Sequence, residues 1–256
     1  MAPNPFIFVA PASRGLSLAL TRHFLRTTDL PVYATHRSDS DSSMKDHIMK
    51  PLSDVDPARL HLLHLDLTSE SSISSAADAL STSIHAESTS FCTGGILHPE
   101  KQPLDLDLEK ITASFQINVI SHLLLIKHFS RFLPSAQKPQ LQTLAKWVHV
   151  SARVGSISDN ARGGWYSYRS SKAALNQVVK TFDLQLQMNR SQAICVGVHP
   201  GTVKTDLSKD FWSSSSKKDS FFEPEDAAEK MVNVVRTLGI DQRGKVWDWA
   251  GKQVPW

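Results

Sequence analysis

Cysteine is scarce in this chain: two occur among 256 residues, Cys92 and Cys195, each in apolar, strand-like surroundings. With no Cys-x-x-Cys pair, neither a disulfide framework nor a zinc site is expected, and two reduced, buried thiols are the default. Long apolar runs are missing too. None approaches the roughly 18 residues a membrane-spanning helix needs, so no membrane partner is expected. Strand-like residues begin at Phe6, which leaves no room for a signal peptide, and a cytoplasmic location follows as the expectation. Charge of one sign is nowhere gathered into a block: 28 Lys and Arg are scattered among 25 Asp and Glu, for a net charge of +3. Such scatter argues against a nucleic-acid partner, while leaving room for a basic pocket that takes a phosphate. The eleven histidines show no metal-ligand spacing, so no metal is expected.

What is present suits one α/β domain spanning 1–256, since 41% hydrophobic residues are enough for a large core. The most informative stretch is Gly163–Gln177, which puts a phenol, Tyr168, four residues before an ammonium, Lys172. Leu175, Val178, Val179, Phe182 and Leu186 follow at helical intervals, so both lie on one face at the start of a long helix. A lysine beside a tyrosine favours the phenolate, lowering the phenol's pKa and making it a usable proton donor or acceptor. The same four-residue spacing also arises on ordinary solvated helix faces.

The first half alternates strand and helix patterns. Phe6–Ala10 reads as a buried strand and Arg14–Arg26 as a helix, joined by the turn Ala10-Pro-Ala-Ser-Arg-Gly-Leu-Ser17. A strand, a tight turn and a helix N-terminus make an anion site, because free amides and the helix dipole converge there. Pro31–His36 is the second strand, ending in Arg37. A basic residue at that tip accommodates a ribose 2′-phosphate, whereas an acidic one would bind the free hydroxyl. Residues 38–59 read as a long exposed loop, partly helical around Met44–Met49. His61–Thr68 is a third strand, Ser69–Glu87 a serine-rich helix, and Thr89–Gly95 a fourth strand running into a glycine turn. Leu104–Leu133 contains a long helix; Lys146–Ser151, Gln192–His199 and Lys245–Trp249 are further strands, and Pro224–Leu238 a last helix.

Taken in order, these landmarks resemble the classical short-chain dehydrogenase/reductase family over nearly the whole chain. Ser151-Ala-Arg-Val-Gly-Ser-Ile-Ser-Asp-Asn160, Gly163-Gly-Trp-Tyr-Ser-Tyr168 and the terminal Gly251-Lys-x-x-Pro-Trp256 are similar to its C-factor-like branch. The resemblance implies a single doubly wound Rossmann-type domain of about seven mostly parallel strands with helices on both faces, its cofactor half about 1–150 and its catalytic half about 151–256. It implies cofactor contacts from Ser13, Arg14, Gly15 and Leu16, from Arg37, from Asp66 and Leu67, from Thr93, Gly94 and Gly95, and from Pro200, Gly201, Val203 and Thr205. Tyr168 and Lys172 belong to both the catalytic and the cofactor set. Asn118 matches the asparagine that interrupts a helix and holds a water in a proton relay.

Three departures stand out against the family pattern. Pro11 and Ser17 replace glycines of the first turn, leaving only Gly15; Thr93 replaces an asparagine; and alignment on Gly155 puts Ala152, not Ser151, at the catalytic serine's place. Either Ser151 reaches the site through a bulge, or Ser156 or Ser158 serves from the loop, or no serine assists. Ser151 is taken as the candidate, because a developing oxyanion wants a second donor.

The expected activity is NADPH-dependent reduction of a small-molecule carbonyl compound, with NADPH preferred over NADH on account of Arg14 and Arg37. The expected assembly is a homodimer or homotetramer, and residues about 206–222 are expected to form a lid. The alternative is a catalytically weak, dinucleotide-sensing protein on the same scaffold, motivated by Pro11 and Ala152. A dehydrogenase running in the oxidative direction differs only in cofactor ratio and substrate.

Overall fold

In the computed structural model, residues 5–81, 86–135, 143–209 and 221–256 are described, with side chains of 81–88 excepted. Eight strands form one sheet in the order β10-β9-β6-β5-β4-β1-β2-β3. These are β1 (Pro5–Ala10), β2 (Val32–His36), β3 (Leu60–His64), β4 (Ala86–Cys92), β5 (Ala145–Val150), β6 (Ala193–His199), β9 (Val246–Asp248) and β10 (Gln253–Val254). All neighbours are parallel except β9 and β10. The expected doubly wound fold is therefore present, with one more strand than anticipated: β10 adds an antiparallel edge to β9.

Each central strand is buried on both faces, so its residues alternate between two cores rather than between core and water. Phe6, Phe8 and Ala10 of β1 join Trp147, Cys195, Leu125, Phe129 and Phe182 on one side. Ile7 and Val9 join Leu20, Phe24, Val148, Val196 and Met231 on the other. The first core is closed by α3 (Glu70–Ser81), α5 (Ser121–Phe129) and α6 (Tyr166–Met188), the second by α1 (Gly15–Thr27), α2 (Asp41–Met49) and α7 (Pro224–Thr237). Residues 41–49, read from sequence as loop with partial helix, form a complete short helix, α2. It is capped by Ser40, whose side chain accepts from Ser43 N, and anchored by the fully buried Ile48. Both cysteines are buried and unlinked, and burial pushes the Cys195 thiol well up.

The chain runs outward from β1 to β3, then crosses back to β4 and continues to β6. That reversal opens a crevice at the carboxyl ends of β1 and β4, where ligands of open α/β sheets bind. The helix read over Leu104–Leu133 is interrupted as expected: α4 (Leu108–Phe115) passes through a π turn, Gln116–Ile120, into α5. Asn118 sits in that turn. Of the anticipated lid, residues 210–220, including Phe211 and Trp212, lie outside the described residues. Its far end is β8 (Phe221–Phe222), which pairs with β7 (Thr202–Val203) beside the main sheet.

Candidate active site

A cavity of about 1030 Å³ occupies the crevice, at the upper end of the range for small-molecule sites. Every strand end of the parallel sheet from β1 to β6 contributes to its wall. Along one arm lie Ser13, Arg14, Gly15 and Leu16, then Arg37, Asp66 and Leu67, then Thr93, Gly94 and Gly95. Ser151, Tyr168 and Lys172 line the same cavity, as do Pro200, Gly201, Val203 and Thr205. Asn118 alone among the candidate residues stands behind the wall. Its Oδ1 accepts from Ile96 N at 2.8 Å, and its Nδ2 donates to Ile96 O and to Ser171 Oγ, each at 2.9 Å.

The altered first turn is built differently from a glycine-rich one. The Ala10–Pro11 peptide is cis, and Ala12 N donates to Thr35 O at the end of β2. Ser17, in the third glycine's place, lies 2.7 Å from the hydroxyl of Thr93, and that hydroxyl donates to Pro11 O at 3.0 Å. Two departures that look unrelated in sequence thus hold each other. Beyond them α1 begins at Gly15 with no side-chain cap and no acidic residue in its first turn, so its leading amides are left for an anion. Gly15 has φ +54°, and a Cβ there would come within 3.1 Å of Thr205. Gly94 would meet Leu67 at 2.8 Å, and Gly95 would face Lys172 Nζ at 3.5 Å. This is a backbone cradle that side chains would fill.

At the far arm Arg37 is exposed, and Asp66 accepts from Thr68 N and Thr68 Oγ1 at 2.8 Å each. Those hydrogen bonds, with Arg37 adding to them, hold the Asp66 carboxyl below its usual range. Arg14 lies 3.5 Å from Asp206, a largely exposed pair of the kind that contributes little to stability. Near Pro200, His199 Nδ1 is buried and has no hydrogen-bond partner among the described residues. A dinucleotide phosphate at the α1 terminus, and a polar group near His199, fit what the wall offers.

Tyr168 and Lys172 are both buried, with Lys172 Nζ 5.8 Å from the centre of the phenol ring and donating to Val150 O at 2.9 Å. The electrostatics differ from the sequence expectation. Burial dominates both groups: it pushes the Tyr168 phenol up to about 12 and the Lys172 ammonium down to about 7. The neighbouring lysine does not lower the phenol, because desolvation penalises both charged forms more than their attraction compensates.

Lys172 therefore binds fewer protons in the folded than in the unfolded chain above pH about 7. Since stability rises with pH wherever the unfolded state binds more protons, the cofactor-free protein should gain stability from about pH 7 to about 7.5, before the unfolded thiols, whose pKa is about 8.5, titrate appreciably. Lys172→Met should flatten that rise in melting temperature. An unchanged slope would show that Lys172 is not the group responsible.

Ser151 lines the cavity, but not by way of a bulge: β5 pairs with β6 in unbroken register through Val150 and Val198. Its hydroxyl is buried and donates to Asn176 Oδ1 at 2.6 Å. Ser156 and Ser158 turn to the carbonyl of Trp256. Ala152, at the expected serine position, lines the cavity with a methyl group.

Two residues passed over in sequence stand directly behind the Gly94 turn. His122 Nε2 lies 2.9 Å from Gly94 O, His122 Nδ1 lies 2.8 Å from His149 Nδ1, and Trp147 Nε1 donates to His149 Nε2 at 2.9 Å. An indole only donates and a carbonyl only accepts, so one tautomer pattern satisfies the chain: His149 carries its proton on Nδ1 and His122 on Nε2. Burial holds both neutral, lowering His122 to about 3 and His149 well below its usual value. Their 27-residue separation leaves no local sequence signal of the pairing.

Comparison with known proteins decides the family. The model of the short chain dehydrogenase family matches residues 5–216. The chain belongs to the short-chain dehydrogenase family. A 1-hydroxy-2-glutathionyl-2-methyl-3-butene dehydrogenase of Rhodococcus is 33% identical over 193 residues, covering 75% of this chain and 78% of that one. The C-signal protein of Myxococcus xanthus is 32% identical over 152 residues, 59% of this chain and 82% of its own. Among solved structures, NADPH-bound carbonyl reductase from chicken fatty liver superposes with a TM-score of 0.82 at 24% identity, covering both chains fully. A short-chain dehydrogenase/reductase from Burkholderia multivorans with bound NADP gives 0.77 at 24%, covering 99% of this chain and all of that one. Both share this fold. Among the described residues, no helix is long and apolar enough to cross a membrane, and no group of three or more His, Cys, Asp or Glu is placed to hold a metal.

Proposed function

We propose that the protein is an NADPH-dependent reductase of carbonyl compounds. The observation that carries this reading is the buried Tyr168–Lys172 pair in the wall of a cavity whose other arm offers a free helix N-terminus and Arg37. NADPH, when bound, supplies the hydride. The chain's own residues supply the rest: Tyr168 gives its proton to the carbonyl oxygen, and Lys172 holds the ribose end. Asn118 and Ser171, joined behind Gly95, would start the route by which the phenol is reprotonated. A phenol pushed up to about 12 holds its proton at neutral pH, which supports the reductive direction, where a developing alkoxide takes it. Ser151 would donate to that oxygen only by giving up Asn176. Among relatives by fold, the NADPH-bound carbonyl reductase of chicken agrees with this cofactor and reaction class. Assembly through α4, α5 and α6 belongs to the same proposal, supported by the exposed Leu108, Leu123, Leu184 and Met188.

Calorimetric titration with NADPH and NADH tests the reading. NADPH should bind at least about tenfold tighter than NADH, the worth of one charge-assisted contact, and Arg37→Gln should remove most of that preference. Equal affinities would remove Arg37 from the site. The engaged Ser151 hydroxyl and Ala152 favour a second reading, a dinucleotide sensor with poor catalysis. Cofactor binding without turnover of any carbonyl compound would select it, and binding of neither nucleotide would end the reductase reading.

A further inference from the structure

Immediately before α6 the chain takes three consecutive left-handed residues: Gly163 at φ +63°, Gly164 at φ +64° and Trp165 at φ 52°, ψ 46°. Glycine adopts this region without penalty, whereas a bulky side chain crowds its own carbonyl there. A turn selected for its path alone would carry glycine at the third position as at the first two. A bulky residue is uncommon at positive φ, so its ring points to a role the backbone path does not require.

The main chain of this tripeptide is held by hydrogen bonds that do not involve the indole. Trp165 N donates to Glu100 O at 2.6 Å, and Arg169 N donates to Trp165 O at 2.8 Å. Arg169 Nε closes the tripeptide by donating to Gly163 O and Gly164 O, each at 3.0 Å. With the main chain pinned from the loop after β4 and from the first turn of α6, the indole is aimed inward. It lines the cavity, half-buried, and forms a T-shaped pair with the Tyr168 ring, 6.2 Å between centres at 71°. Ile96, Leu97, Val154 and Phe221 add apolar lining to the same cavity.

We infer that Trp165 is a specificity-determining residue, an aromatic platform beside the phenol that selects ketones whose carbonyl is attached to an aryl ring. The inference rests on the reductase reading above and names its substrate class. A flat ring against the indole would bring its attached carbonyl to the Tyr168 hydroxyl, because the platform and the proton donor are neighbours on one wall.

The test compares acetophenone with cyclohexyl methyl ketone, matched in size but not in aromaticity, on wild type, Trp165→Phe and Trp165→Gly. Two quantities are read: kcat/KM with NADPH, and the Kd of each ketone for the NADP+ complex by calorimetry. Glycine tolerates φ 52° better than tryptophan, so Trp165→Gly keeps the turn. Its preference for acetophenone over the cyclohexyl ketone should fall roughly three- to tenfold, the worth of one aromatic pair, while Trp165→Phe should stay within about twofold of wild type. An unchanged preference, with both ketones losing alike, would overturn the platform and leave Trp165 as packing against Tyr168. If wild type binds acetophenone selectively but reduces neither ketone, the reductase reading fails. The Kd ratio in Trp165→Gly then decides the platform alone: a loss of selectivity supports it, retention overturns it.

Discussion

Tyr168→Phe should lower kcat/KM for any carbonyl substrate by about 10²- to 10⁴-fold, the usual worth of a positioned general acid. NADPH affinity should change by less than about twofold, since the phenol's contribution lies in the proton and not in uniform binding. The split arises from the geometry. Phenylalanine preserves the ring that meets Trp165 in a T-shaped contact and lies 5.8 Å from Lys172 Nζ, and removes only the phenol oxygen of this cavity-lining residue. Single-turnover measurement at saturating NADPH separates the step from product release. Turnover at the wild-type rate would hand the proton transfer to another group and sink the proposed role of Tyr168.

Gly155→Ala should be the most damaging small substitution near the site. A Cβ at that position would lie 2.7 Å from the carbonyl carbon of Lys172 and 2.9 Å from its Cβ and O, distances that real Cβ atoms do not keep. The obstacle is the backbone of α6, a 23-residue helix, so it cannot swing aside as a side-chain tip can. Overpacking of this kind costs about 1–3 kcal/mol, and the loop or the helix must shift. Because the helix turn that would move carries Lys172 and adjoins Tyr168, catalysis should fall by about 10²-fold even in the fraction that stays folded. Thermal melts and kcat/KM on the same preparation check both parts. A variant that melts and turns over like wild type would show that the contact is slack.

Gly155 illustrates how far the sequence reaches. As a letter it served to align the loop after β5 and to expose Ala152 at the serine position. That only glycine fits there because α6 lies against it is visible only once the two segments, 17 residues apart at Lys172, are packed. Ser17 and Thr93 behave the same way. Each reads singly as a lost family residue, and their 2.7 Å contact shows a joint replacement. Ser151 was legible as a hydroxyl at the right strand end, but the direction of that hydroxyl depends on Asn176 across the interior. The expected sign of the Tyr168 shift failed for a related reason. Spacing reveals that a lysine is near, but not how completely both groups are removed from water.

By its own patterns the sequence determined the alternation of strands and helices along the chain and the long helix bearing Tyr168 and Lys172, while the doubly wound architecture and the helix break at Asn118 came with the family resemblance. Periodicity, turn residues and four-residue spacings are short-range properties, and neighbours along the chain suffice to read them. Tertiary structure alone decided the antiparallel edge strand β10, the His122–His149 chain behind Gly94, the engaged hydroxyl of Ser151 and the burial that sets both titrations. Each depends on what is brought near by packing, where desolvation and contact act through space between residues that no local pattern links.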